Sequence, residues 1–252
     1  MKFIFENTNR KKLSLFTTAG FPHLNSLNTH LELFEAKGVD FVEVGIPFSD
    51  PIADGPTIQE SSRIALENGM NLNLLFEQIA SRKTKIPLVL MGYLNPILQF
   101  GLDSFLEEAK KCKISGLVLP DLSIDLYKNR YKKIFDKFDI PLCFLVTPST
   151  ADDRIQESAK LSKNGFIYLV SSNSTTGSKI SSTADSNNIH KRYSEIKSLC
   201  GSTPVMIGFG INNKENFDNK TQSVDGGIIG SAFIRATSRG NDEFFIDEII
   251  RR

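Results

Sequence analysis

Eight short runs of mostly apolar residues, at 13–17, 39–43, 87–90, 116–119, 141–145, 165–169, 204–207 and 224–229, alternate with stretches long enough for a helix. Runs that are apolar at successive positions suit strands buried on both faces, as in a parallel sheet. Several open on Pro or Gly, residues that turn the chain out of a preceding helix. Helical pattern follows at about 25–37, 61–66 and 72–81, and only weakly at 212–220, where few residues are apolar. Eight such units in 252 residues, close to the roughly 250 of a TIM barrel, predict an α/β fold: a closed (β/α)8 barrel, one domain over residues 1–252. An open doubly wound sheet shares much of this pattern. No linker or low-complexity tract divides the chain.

Composition excludes several functions. The net charge of +1 does not suit a protein that coats nucleic acid or an anionic membrane. The basic stretch Lys128-Asn129-Arg130-Tyr131-Lys132-Lys133 reads as a solvated helix face. Cys112, Cys143 and Cys200 form neither a CxxC pair nor a disulfide framework, which points to a reducing compartment. The opening MKFIFENTNRKK is too polar for a signal peptide, and no apolar run approaches the ~18 residues of a membrane span. The expected location is the cytoplasm, with no membrane or nucleic-acid partner.

In a barrel of this kind the active site lies at the carboxyl ends of the strands. Those ends are Thr17/Thr18, Glu43, Gly92/Tyr93, Pro120/Asp121, Thr147, Ser171, Gly208–Gly210 and Gly230/Ser231. Glu43, between Val42 and Val44, ends a run that should be buried. Burial raises a carboxyl pKa and makes such a group an acid–base candidate near neutral pH; the alternative is a structural ion pair with a nearby cation. The loop Ile46-Pro47-Phe48-Ser49-Asp50-Pro51-Ile52-Ala53-Asp54-Gly55-Pro56 is stiffened by three prolines. Of its two aspartates, Asp50 beside Ser49 suits a turn or cap, which leaves Asp54 to face a substrate. Two carboxylates in different environments can divide acid and base roles. Gly208-Phe209-Gly210 and Gly230-Ser231 follow the seventh and eighth runs, and Gly177 follows the sixth. Loops after strands seven and eight are where barrels bind phosphate, through backbone N–H groups that glycine leaves accessible. No lysine falls at a strand end, so a Schiff-base aldolase is not expected. His23, His30 and His190 lack metal-ligand spacing and read as surface or helix residues, so no metal is expected.

The run VEVGIPFSDPIADGPTIQ at 42–59 resembles the signature of the tryptophan synthase α-subunit family. LFTTAGFP at 15–22, MGYLNPI at 91–97, LPDL at 119–122, FIYLVS at 166–171, GFGI at 208–211 and GSA at 230–232 extend the resemblance over most of the chain. It implies a lyase of tryptophan biosynthesis that cleaves indole-3-glycerol phosphate to indole and glyceraldehyde 3-phosphate. The family's general acid/base falls on Glu43 and its indole-nitrogen contact on Asp54. Tyr168 falls near the substrate, Gly177, Gly210, Gly230 and Ser231 in the phosphate site, Phe16 and Phe209 on the indole pocket, and Thr176, beside Gly177, among the substrate-binding residues. The resemblance implies no cofactor in this subunit and a β-subunit partner that carries pyridoxal phosphate, in an α2β2 heterotetramer. Ile46, Phe48 and Ile52 would face that partner or pack on the barrel rim. Ser174 departs from the family, which commonly has glycine there. The segment 171–188, with seven serines, three threonines and only Ile180 and Ala184 apolar, has little to bury and is expected to be a mobile lid. Other readings are a stand-alone indole-releasing lyase, another phosphate-binding barrel such as an aromatic or imidazole pathway isomerase, and a non-catalytic phosphate-binding subunit.

Overall fold

The structure, a computed structural model, describes residues 1–6, 10–171 and 183–250. Eight strands form one parallel sheet: β1 (Lys12–Thr18), β2 (Phe41–Gly45), β3 (Leu88–Met91), β4 (Gly116–Val118), β5 (Leu145–Val146), β6 (Ile167–Val170), β7 (Val205–Gly208) and β8 (Gly226–Ile229). Their order is β4-β3-β2-β1-β8-β7-β6-β5, with helices in every connection. Leu117 of β4 closes the circle, pairing in parallel with Leu142 just before β5. Its N–H donates to the Pro141 carbonyl and its own carbonyl accepts from the Cys143 N–H, both at 2.8 Å. The architecture is the expected (β/α)8 barrel, not an open sheet.

The strands are buried because helices cover their outer face while the inner face fills the barrel. Most strands start one or two residues later than their apolar runs, because the leading Pro87, Gly165 and Pro204, and the pairs Val39-Asp40 and Val224-Asp225, lie before the strands. The fifth run divides instead: Leu142 bridges β4, and only Leu145 and Val146 pair with β6. The weak region after β7 does form a helix, Lys214–Thr221, which buries Phe217 and Thr221. His30 lies on the helix Ser26–Ala36 but is not at the surface. It is buried with Nδ1 2.9 Å from Thr17 Oγ1 and its ring against Phe34 and Phe233, and burial lowers its pKa to about 4.

At the amino end of the barrel the short helix Lys2–Phe5 closes the base. The Phe5 ring meets Phe41 and Phe166, which also meet each other, at centroid distances of 5.7–6.5 Å. Side chains alternate across a strand, so Phe41 and Glu43 project to the same side of β2. The aromatic group therefore lays an apolar floor beneath Glu43.

Candidate active site

Glu43 is the third of five residues in β2, one layer below the rim rather than at the strand end as the sequence suggested. It is 1% exposed, and its Oε1 has no hydrogen-bond partner. Among the described residues no cation pairs with it, which speaks against the ion-pair alternative. Burial, and secondarily the charge of Asp54, push its pKa up to about 8. A carboxyl group in this setting keeps its proton at neutral pH and can deliver it.

Asp54 comes from the proline-stiffened loop after β2. The Tyr93 hydroxyl donates to Asp54 Oδ2 at 2.9 Å and accepts from the Ala53 N–H at 3.0 Å. Burial raises the Asp54 pKa to about 6, against the opposing effect of the Tyr93 hydrogen bond. Asp54 is thus the more acidic of the two carboxyls, and the more readily ionised. Asp50, read as a turn residue, is exposed; its carboxylate accepts from Ser49 Oγ and its carbonyl from the Ile52 N–H.

Both carboxyls line one cavity together with Phe16, Tyr168, Phe209, Gly210, Gly230 and Ser231. Close approach explains two glycines at its edge. A Cβ on Gly45 would lie 2.4 Å from the Phe16 ring, and one on Gly208 would lie 2.3 Å from the Tyr168 hydroxyl oxygen. The strands leave those places empty so that the aromatic side chains can fill them. Burial, followed by the charges of Glu43 and Asp54, raises the Tyr168 pKa, so this hydroxyl stays neutral. In the turn after β7, Phe209 and Gly210 have φ of +70° and +66°. This is the left-handed region, ordinary for glycine and costly for phenylalanine.

The structure brings together Glu43, Asp54, Tyr168, Phe16, Phe209, Gly210, Gly230 and Ser231. Thr176, Gly177 and Ser174 lie outside the described residues, as does most of the expected lid. Of the rest of that segment, Ser171 follows β6 and 183–188 open the helix Thr183–Leu199. Ile46 packs inward against Gly92, Phe48 lies over the Tyr93 ring at 5.3 Å, and Ile52 is 85% exposed. Sequence reasoning gave no role to Tyr93, although it stood among the strand ends, and missed the cavity-lining Ile58, Met91, Ile211, Asn212 and Ile228. Ile58, Met91 and Ile211 fall inside the motifs quoted above, but an apolar residue there gives no sign that it faces the cavity.

Fold and site define a (β/α)8 barrel equipped for acid–base chemistry, with two carboxyls raised to different pKa values in one cavity at the carboxyl ends of its strands. Residues 4–246 match the family model described as tryptophan synthase alpha chain, and the chain belongs to that family. It is 50% identical over 229 residues to the tryptophan synthase alpha chain of Flavobacterium psychrophilum, covering 90% of this chain and 89% of the relative. The Flavobacterium johnsoniae alpha chain is 45% identical, with 96% of each covered. Among solved structures, tryptophan synthase subunit alpha from Campylobacter jejuni superposes with a TM-score of 0.85 at 31% identity, with 96% of each chain covered. The chain is accordingly a lyase of tryptophan synthesis rather than a barrel isomerase or a non-catalytic subunit. Among the described residues, no helix is long and apolar enough to cross a membrane.

Proposed function

We propose that this chain performs the retro-aldol cleavage of indole-3-glycerol phosphate, with Glu43 as proton carrier and Asp54 as partner of the indole nitrogen. The observation that carries this reading is the contrast between Glu43, unpartnered on Oε1 with a pKa of about 8, and Asp54, near 6, across one cavity. Protonated Glu43 gives its proton to indole C3, forming an indolenine whose positive charge lies on the ring nitrogen. Asp54, largely ionised at neutral pH, accepts a hydrogen bond from that N–H and offsets the charge. The Glu43 carboxylate then takes the proton of the side-chain hydroxyl next to the ring. The C–C bond breaks, its electron pair returns to the ring, and indole and the aldehyde separate with Glu43 protonated again. The apolar floor below Glu43 keeps water from competing for the proton.

Phe16 and Phe209 would hold the indole ring, with Tyr168 shaping the inner wall. Gly210, Gly230 and Ser231 would hold the phosphate through backbone N–H groups and the serine hydroxyl, with Thr176 and Gly177 from the segment after β6. No cofactor takes part in this subunit. A β subunit carrying pyridoxal phosphate would receive the indole in an α2β2 heterotetramer, in the cytoplasm; exposed Ile52, at the barrel mouth, supports docking there. Residues 1–252 would act as one domain.

The deciding assay follows indole released from indole-3-glycerol phosphate, with and without β subunit. Release by the chain alone, accelerated by the partner, is expected. No release in either mixture would refute the proposed reaction, and release that ignores the partner would favour a stand-alone lyase.

A further inference from the structure

A cation that this chemistry does not use sits behind the turn after β7. Lys220, in the last turn of the helix Lys214–Thr221, is half-buried, and its Nζ donates to the Phe209 carbonyl at 3.1 Å and to Ser171 Oγ at 3.3 Å. Ser171 Oγ donates to the same carbonyl at 2.9 Å. No carboxylate among the described residues pairs with Lys220, whereas Lys214 on the same helix pairs with Asp218. Burial alone shifts its pKa, down to about 8, so it is still an ammonium at neutral pH. A partly buried ammonium that has only neutral acceptors is costly unless an anion comes near.

The carbonyl it contacts belongs to the Phe209–Gly210 peptide, whose N–H is that of Gly210. Gly210 lines the cavity, and its N–H donates to none of the described residues. One planar peptide unit therefore carries two donors on its oxygen and a free donor at its other end. Hydrogen bonds in series polarise one another, and a charged donor does so most strongly.

We infer that Lys220 is a positioning residue for phosphate recognition: through the Phe209 carbonyl it polarises the Gly210 N–H toward the substrate's phosphate and offsets part of that group's negative charge. This rests on the phosphate site proposed above. The ammonium also helps hold Phe209 in its left-handed conformation, so two effects must be separated: strengthening the phosphate donor, and merely propping up an aromatic wall.

Two probes separate them, an indole alkyl phosphate and the matching indole alcohol, titrated against wild type and the Lys220→Met, Lys220→Gln and Lys220→Arg variants. Lys220→Met and Lys220→Gln remove the charge and should weaken the phosphate probe roughly tenfold, about 1.4 kcal/mol. The alcohol should change by less than about twofold on the same scale. Lys220→Arg, which keeps the charge, should restore most of the phosphate affinity. Equal weakening of both probes would show a structural prop and overturn the inference, as would unchanged phosphate binding. Wild type that binds both probes equally would instead remove the phosphate site itself, and the role of Lys220 with it.

Discussion

At the base of the barrel, Asp40 accepts two hydrogen bonds from Arg10 at 2.7 and 2.8 Å, one from the buried Lys12 at 3.2 Å and one from the Leu13 N–H at 2.9 Å. Asp225, before β8, likewise receives the Val205 N–H at 2.6 Å and Lys197 at 2.7 Å. At the mouth, among the described residues, Glu43 has no partner on Oε1, Asp54 has a tyrosine, and Lys220 has only neutral oxygens. The same scaffold thus satisfies its charges at one end and leaves them wanting at the other. A satisfied charge fixes strands in place. An unsatisfied one destabilises the resting protein and becomes useful when a substrate supplies what is missing.

The largest expected effect tests the mouth. Glu43→Gln keeps the shape but carries no titratable proton, so turnover should fall by at least ~10²–10⁴ while substrate analogues still bind. Steady-state kinetics with a binding titration measures this, and near-normal turnover would return Glu43 to the structural class.

The next effect tests the base. Asp40→Ala leaves Lys12 buried without its partner and should cost ~3–5 kcal/mol in denaturant unfolding. The protein that remains folded should cleave substrate at the wild-type rate. Loss of turnover without loss of stability would break the division between the two ends.

The smallest effect sharpens it through pH. The pKa of Glu43 is raised from 4.5 to about 8 on folding, so the folded state holds a proton that the unfolded state releases. The contribution of Glu43 to stability should therefore decline as pH rises from about 4.5 toward 8 and level off above that. Glu43→Gln lacks this term, so its stability relative to wild type should rise across the same window by up to ~1.4 kcal/mol per pH unit. A constant difference in melting temperature from pH 5 to 8.5 would mean that Glu43 is not held protonated.

The alternation of apolar runs and helical stretches made the barrel legible, because strands buried on both faces leave a continuous apolar signature. The seam in the ring was not legible, since Leu142 meets Leu117 as a single bridge inside a run that reads as one continuous strand. Glu43 stood out as a carboxylate inside an apolar run, and Asp54 as an aspartate in a loop too stiff and too long for a plain turn. Tyr93 and Lys220 were hidden because their importance lies in which atom they touch. Lys220 reaches the mouth from a helix end, eleven residues after the carbonyl it holds, and a survey of strand ends passes over it. His30 lies on a helix, as one of its two readings had it, but its burial was hidden because a polar side chain on a helix gives no sign of the hydroxyl waiting for it on β1.

The join between β4 and β5 gives the barrel a seam. β1 and β2 share five register pairs, whereas β4 meets the next segment at Leu117 alone. Local opening is easiest where the fewest backbone hydrogen bonds must break, so the ring yields there first, with its other ladders intact. Glu43 and Tyr168 stand on β2 and β6, on either side of that seam. Slack at the join is therefore slack in the bore between them, and the gap that sets how closely a planar ring is gripped can widen or narrow without unzipping either wall.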